Sequence, residues 1–589
     1  MRVWRRRDFT RRFLLAFVVL FILAGASFAA PVPTEPNKPL DVYAKNGMVS
    51  AAHFLASQAG MEIMARGGNA IDAAAATALA LHVVEPYNIG MGGGGFITVR
   101  FAKTGEIVFL DFREIAPASA TKDMYASEQA KKENWSSVGG KAAGVPGWVK
   151  GWFYALEKYG TMTFEQVVQP AIRLAENGYV WTDGQNETIL EGNNFEEMTN
   201  LNGDGKHVPY LDEDGLPIQP GAIVKHPGLA KAFRLLAKDG PDAFYKGPIG
   251  AAFLKAVNGA GGNMTQADLD KVEVRVRKPV EGTYRGYRIY SSPPPSSGGA
   301  HIVQLLNVME NFEISKWKQN DPQLIDLWGQ AQRQVFADRD KYMADTAFAK
   351  VPLEGITSKE YAKTMLPKVQ LEKFPAVGEP GDPWQFEKTE KKSAGIYAPG
   401  VGPEHHSTTH FSTVDVEGNI VAATNTINYW FGAKVIDPEF QILVNNQMDD
   451  FSQDPQSVNA PEPGKIPLSS MSPTIVLDPD GKPFMTVGGA GGRMILTEVA
   501  MVISNVIDHR MTMSEAIEAP RIWNDMEDET ILEATVGEKA IEYLKNKGYV
   551  LNIGETYHGV VQGILFDHAY EQMDAAADQR TGTGLPAGF

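Results

Sequence analysis

The 589-residue chain contains no cysteine. That absence removes a thiol nucleophile, cysteine-ligated zinc and iron–sulfur clusters, and it suits an oxidising compartment in which no disulfide forms. Covalent catalysis therefore falls to oxygen. Two motifs are missing as well. No H-E-x-x-H occurs, as a helical zinc protease would need, and no G-x-S-x-G elbow, so an α/β-hydrolase has no visible nucleophile. Positive charge is short: 55 Lys and Arg stand against 71 Asp and Glu, for a net charge of −16. Such a surface repels nucleic acid and anionic lipid. No internal repeat is visible.

With 43% hydrophobic residues, the chain can bury one large core or two ordinary ones, which excludes disordered and fibrous classes. Residues 1–30 form a separate segment. Six arginines in MRVWRRRDFTRR precede the apolar run RFLLAFVVLFILAGASFAA, which ends in small residues, and this reads as an export signal. Cleavage is expected after Ala26 or Ala29. A retained anchor is the alternative, since residues 13–30 are only just long enough to span a bilayer. The R-R-D-F stretch at 6–9 also suits a twin-arginine signal, so the route stays open. Loss of residues 1–30 takes the net charge from −16 to −21.

Residues 51–66 and 69–85 read as two helices parted by Gly67 and Gly68, with Asn69 as N-cap and Pro86 as the stop. FITVRFAKTGEIVFLDF at 96–112 is a hairpin. Helical stretches follow at 148–158, 164–177 and 322–345, interrupted by the Pro-rich loop SSPPPSSGG at 291–299. Periodicity fades between 366 and 407, a segment expected to be a mobile surface linker. Directly after it, THFSTVDVEGNIVAATNTIN forms a hairpin turning at 417–419. A further hairpin begins at 473, and a glycine cluster opens a helix near 494. The mixture predicts an α+β layered domain with antiparallel sheets.

Several motifs dissolve under inspection. GMGGGG at 90–95 satisfies G-x-G-x-x-G, but the order is helix, glycines, strand, the reverse of a dinucleotide site. Ser119-x-x-Lys122 and Lys103-Thr-Gly105 stand in the wrong order for a penicillin-binding set. The run from Asn200 to Gly205 imitates a calcium loop, yet its twelfth position is Leu211. His405, His406 and His410 are expected to be a surface cluster rather than metal ligands.

What remains is HHSTTHFSTVD at 405–415. A threonine hydroxyl needs a base beside it, and sequence spacing supplies none. The α-amine of Thr408 itself would serve, since its pKa is near roughly 8. That amine exists only if the Ser407–Thr408 bond is cut. Downstream, GGAGG at 488–492 offers backbone N–H groups between a strand and a helix, while NNQMDDFS and PLSSMSP concentrate polar side chains in loops.

In order along the chain, GGNAIDAAAATALALHVVEPYNIGMGGGGF, FLDFREIAPASAT, GVPG, PPSSGG, STTHFSTVD, NNQMDDFS, PLSSMSPT and GGAGG resemble the γ-glutamyltranspeptidases, self-cleaving N-terminal nucleophile hydrolases. The resemblance implies a four-layer αββα sandwich of two antiparallel sheets flanked by helices. It implies a large subunit, 31–407, and a small catalytic subunit, 408–589, forming one interleaved domain after an N-to-O acyl shift at Ser407–Thr408. Thr408 would be the nucleophile and Thr426 its support, with Gly491 and Gly492 as the oxyanion hole. Arg113, Ser469 and Ser470 would hold the substrate α-carboxylate, and Asn428, Gln447 and Asp450 its α-amine. Glutathione is the implied donor, water or an amino acid or dipeptide the acceptor, and no cofactor or metal is implied.

The chain departs from the family in two places. Only the residues QDPQSVNAPEPGKI lie between Ser452 and Pro467, without an aromatic gate, so an open cleft is expected. Arg493-Met494 stands where many members have Ser-Arg, and is expected to retune the site. The alternatives are a cephalosporin or glutaryl acylase-like amidohydrolase and a non-cleaving γ-glutamyl binding protein.

Overall fold

A computed structural model describes residues 40–203, 205, 207–371, 373–374, 378–388, 407–525, 529–554 and 559–589. The expected export segment and its cleavage positions lie outside these residues, as do His405 and His406.

Alternating apolar and small polar residues, β-branched at many positions, build two antiparallel seven-stranded sheets. One runs Ala587–Gly588, Met48–Ala51, Thr409–Val414, Ile420–Thr426, Gly94–Arg100, Ile107–Asp111, Arg275–Arg277. The other runs Val42–Ala44, Gln572–Ala577, Val560–Asp567, Pro483–Ala490, Thr474–Leu477, Tyr287–Ser291, Val280–Tyr284. The side-chain period of two gives each sheet an inner and an outer face. Met48, Val414, Ile420 and Ala422 meet Ile475, Leu477, Ile564 and Met573 in the apolar part of the layer between the sheets. Elsewhere that layer is polar. Ser412 and Thr486 share a hydroxyl contact of 3.0 Å, Ser50 Oγ donates to Ala576 O at 2.7 Å and Thr98 Oγ1 to Pro473 O at 2.7 Å.

The outer faces are covered by helices. Phe411, Val421 and Ala423 of the first sheet pack into a core with the helices Phe54–Ala65, Ala70–Val84 and Trp148–Tyr159. Val476, Met485, Val487 and Val561 of the second pack with Gly298–Met309, Pro322–Tyr342 and Ile495–His509. The order helix, sheet, sheet, helix is the expected αββα arrangement.

Asn69 caps Ala70–Val84 in a capping box with Asp72. The expected helix over 164–177 is instead two, Phe164–Val167 and Gln169–Asn177. Pro170 explains the break: proline has no N–H to donate and sits comfortably only in a first helical turn. The expected linker is also ordered in part. Gly381 accepts the Tyr342 hydroxyl at 2.6 Å and donates its N–H to Asp338 at 2.9 Å, and Pro383 is buried. His410 is not at the surface. It is fully buried between the sheets, Nδ1 on Thr424 Oγ1 at 2.8 Å and Nε2 on Ser412 Oγ at 3.1 Å, and burial lowers its pKa to about 3.

Asp415 closes the hairpin that follows Thr408 and reaches beyond it. Its Oδ1 accepts the N–H groups of Glu417 and Asn419 at 3.0 and 2.9 Å, and its Oδ2 accepts Asn419 Nδ2 at 2.8 Å and the Ala70 N–H at 2.9 Å. The carboxylate thereby joins the hairpin turn to the N-terminus of Ala70–Val84, where a negative charge is favourable. Asp415→Ala is expected to destabilise the fold by about 3 kcal/mol through these buried donors left unpaired. Asp415→Asn should fall between it and wild type, as read by chemical denaturation.

Candidate active site

Residues 408 and 426 are brought together by strand register. Thr409 pairs with Asn425 across the hairpin, so the next residues out are Thr408 and Thr426, and their hydroxyl oxygens are 2.9 Å apart. Thr426 Oγ1 also accepts the Asn428 N–H at 2.8 Å. Thr408 is buried, with φ at 120°. A β-branched residue is strained there, by about 1–3 kcal/mol. On the other side of the peptide bond, Ser407 Oγ donates to Tyr87 O at 3.2 Å. The glycine-rich stretch at 90–95 lets the chain pass close by: a Cβ on Gly93 would sit 2.1 Å from Thr426 O.

From Thr426 a continuous path leads to the other predicted site residues. Asn428 Nδ2 donates to Asn446 O at 3.1 Å, and Gln447, next in sequence, donates Nε2 to Asp450 Oδ2 at 2.7 Å. Asp450 Oδ2 also forms an ion pair with Arg113 Nη2. Arg113 is aimed by carbonyls, with Nε on Pro467 O at 3.0 Å and Nη2 on Leu468 O at 2.7 Å. Ser469 and Ser470 follow directly. Sequence reasoning assigned Arg113 and Asp450 to opposite ends of a ligand, whereas here they are paired with each other. A cation and an anion at one buried spot neutralise one another. An α-amino acid, which carries both charges on one carbon, offers each a matching partner.

Gly491 and Gly492 lie between the strand Pro483–Ala490 and the helix Ile495–His509, as expected. Gly491 has φ 136°, and a Cβ there would meet Gly559 Cα at 2.8 Å, so only glycine fits. Arg493 is explained by burial. Nη1 and Nη2 bind the two oxygens of Asp340 at 3.2 and 3.3 Å, Nε lies 3.2 Å from Asp525, and the guanidinium sits 5.0 Å from the Phe336 ring centre. Its charge is thus neutralised inside the fold. The short segment 453–466 is folded back on itself. Asn459 Nδ2 donates to Asp450 O at 2.7 Å, and Lys465 Nζ donates to Val458 O and Ala460 O at 2.8 and 2.9 Å.

Sequence reasoning missed three buried carboxyls around this path. Glu85 is two residues before Tyr87, which holds Ser407; burial lifts its pKa to about 7. Glu114 follows Arg113 and is lifted to about 8, by burial outweighing the arginine. Glu498, in the first turn of Ile495–His509 and 3.0 Å from Arg521, is lifted to about 8 by burial. The signal available was weak: a single carboxylate in an apolar stretch, with an arginine beside it only at Glu114. Among the described residues no cluster of side chains forms a metal site.

Two facing antiparallel sheets between helical layers, with a threonine hydroxyl at the start of a central strand, define the N-terminal nucleophile hydrolase class. Residues 56–587 match the family model for γ-glutamyltranspeptidase. The chain is 37% identical to the glutathione hydrolase proenzyme of Escherichia coli (strain K12), over 98% of this chain and 99% of that protein. Its structure is similar to a cephalosporin acylase from Bacillus halodurans, with TM-score 0.82, 27% identity and coverage of 95% and 99%. It is also similar to a chain of Helicobacter pylori γ-glutamyltranspeptidase, with TM-score 0.53, 37% identity and coverage of 61% of this chain and 100% of that one. The chain belongs to the γ-glutamyltranspeptidase family.

The buried carboxyls carry a pH consequence. An unfolded glutamate releases its proton near 4.5, whereas folded Glu114 keeps it to about 8. Between those values the folded state binds more protons, so this group's contribution to stability falls as pH rises. Glu114→Gln is expected to flatten the decline in melting temperature between about pH 5 and pH 8.

Proposed function

We propose that this enzyme cuts its own chain between Ser407 and Thr408 and then uses Thr408 to transfer γ-glutamyl groups. The observation that carries the reading is the 2.9 Å hydroxyl pair of Thr408 and Thr426 at a backbone strained to φ 120°. That angle is defined by the Ser407 carbonyl carbon, so cutting the bond abolishes it. In the precursor, Thr408 Oγ attacks the Ser407 carbonyl, the C–N bond breaks and the amide nitrogen takes up a proton. An ester remains. Water hydrolyses it, leaving Ser407 as a carboxylate end of residues 31–407 and Thr408 as the amine end of residues 408–589.

The freed α-amine then takes the proton of its own hydroxyl as Thr408 Oγ attacks the γ-carbonyl of glutathione. Gly491 and Gly492 N–H groups receive the oxyanion. Arg113, Ser469 and Ser470 bind the α-carboxylate, while Asp450, Gln447 and Asn428 bind the α-amine. The amine returns its proton to the departing cysteinyl-glycine nitrogen. A γ-glutamyl ester on Thr408 is left, and water or the amine of an amino acid or dipeptide resolves it, giving hydrolysis or transfer. Without an aromatic gate in 453–466, the cleft admits long γ-linked substrates. Residues 1–30 direct export to the periplasm or medium. Among the described residues no helix is long and apolar enough to cross a membrane.

The likeness to a cephalosporin acylase raises a second reading, an amidohydrolase for glutaryl amides. The buried Arg113–Asp450 pair favours a donor with both charges, because a glutaryl group brings no amine to Asp450. Comparison of γ-glutamyl and glutaryl anilides decides between them, with the γ-glutamyl donor expected to be preferred at least tenfold.

On a denaturing gel, wild-type protein is expected to give two bands, the smaller beginning Thr-Thr-His, and Thr408→Ala to give one. A wild-type chain that stays intact after long incubation at neutral pH overturns the reading. Asp450→Ala should leave cleavage in place and raise KM for a γ-glutamyl anilide by more than tenfold, since it strands Arg113 without its buried partner.

A further inference from the structure

Ser470 is held by a residue outside the machinery described above. Arg339, buried in the helix Pro322–Tyr342, donates Nη2–H to Ser470 Oγ at 3.0 Å and Nε–H to Ser297 Oγ at 3.0 Å. Ser297 in turn donates both its N–H and its hydroxyl to Ser469 O at 2.8 Å. A hydroxyl that accepts from a guanidinium is left with its single proton to give elsewhere. Ser469 Oγ likewise accepts, from the Met471 N–H at 3.1 Å. Each serine thus keeps its O–H proton to donate, which suits a carboxylate.

The same guanidinium reaches the oxyanion turn. Arg339 Nη1 binds Asp340 Oδ1 at 3.3 Å, and Asp340 is the carboxylate that holds Arg493, directly after Gly492. All three side chains are under one-tenth exposed. A planar fork inside the fold holds fixed directions in a way that a flexible ammonium does not.

Resting on the γ-glutamyl reading of the site, we propose that Arg339 is a positioning residue that sets selectivity for an α-carboxylate by orienting the Ser470 hydroxyl. Asp340, which it shares with Arg493, is where that subsite and the oxyanion turn meet. Arg339 itself does not touch substrate. Its effect on the carboxylate and the effect of Arg493 on the turn are separable.

The test compares γ-glutamyl p-nitroanilide with 4-aminobutyryl p-nitroanilide, the same donor without its carboxylate, on processed enzyme. Arg339→Lys is expected to raise KM about tenfold for the first and leave the second unchanged. Ser470→Ala should do the same, and the double variant should be no worse than either single one. Arg493→Lys should instead lower kcat for both donors with little change in KM, and Asp340→Asn should show both effects. Should turnover of the decarboxylated donor be too slow to follow, inhibition constants of glutamate and 4-aminobutyrate give the same ratio. If Arg339→Lys does not fold, Ser297→Ala removes one of the acceptors that aim the guanidinium and applies the same comparison. Equal losses for both donors, additive losses in the double variant, or no loss would overturn the proposal. Wild-type enzyme inactive on the γ-glutamyl donor would instead overturn the reading of the site.

Discussion

The register of one hairpin governs this molecule. Pairing of Thr409–Val414 with Ile420–Thr426 carries Thr408 to a place opposite Thr426, where the two hydroxyls meet. A slip of one residue would turn every side chain of the strand to the other face. Both strands are buried along their whole length, so such a slip would drive Phe411 out of the helical core and His410 out of the inter-sheet layer. The turn is pinned by Asp415 and by Gly418 with φ 82°. The position of the Thr408 hydroxyl thus follows from ordinary sheet packing several residues away.

This explains which parts of the site were legible in sequence. The hairpin loop 415–419 is centred on residue 417, halfway between Thr408 and Thr426; the turn expected at 417–419 is one residue off that centre, so sequence located the hairpin but not its register. The αββα layering comes from the family resemblance, whereas the α+β character, the Asn69 cap and the strand-to-helix change at Gly491 come from local signals of short range. The pairing of Arg113 with Asp450 does not. It depends on loops from 337 residues apart meeting over the end of a sheet, and single-sequence periodicity carries no information on such contacts. His410 misled for a related reason: its neighbours suggested a polar surface approach, but strand position overrode them, with hydroxyls at 412 and 424 each hydrogen-bonded to one ring nitrogen. Pro170 was a local signal passed over.

Arg493 illustrates how a departure from a family pattern can be absorbed. A lone buried arginine is costly, and here Asp340, Asp525 and the face of Phe336 surround it. Buried ion pairs of this kind contribute little net stability, because desolvation offsets most of the Coulombic attraction. Their value lies in direction. Asp340 binds Arg339 and Arg493 together, and so links the guanidinium on Ser470 Oγ to the residue directly after Gly492.

The distribution of strands bears on what a cut after Ser407 would do. Seven strands of the two sheets precede that bond and seven follow it, and each sheet contains both kinds. Met48–Ala51 is hydrogen-bonded on both sides by strands from beyond residue 408, and Ile420–Thr426 is flanked by Gly94–Arg100. Separation of the two pieces would therefore break backbone ladders in both sheets and expose the cores on each outer face. Hydrophobic burial of that extent far exceeds the association entropy that a cut restores. The precursor and the two-piece enzyme can thus share one fold, and the backbone strain at Thr408 can be released without loosening the strand that aims its hydroxyl.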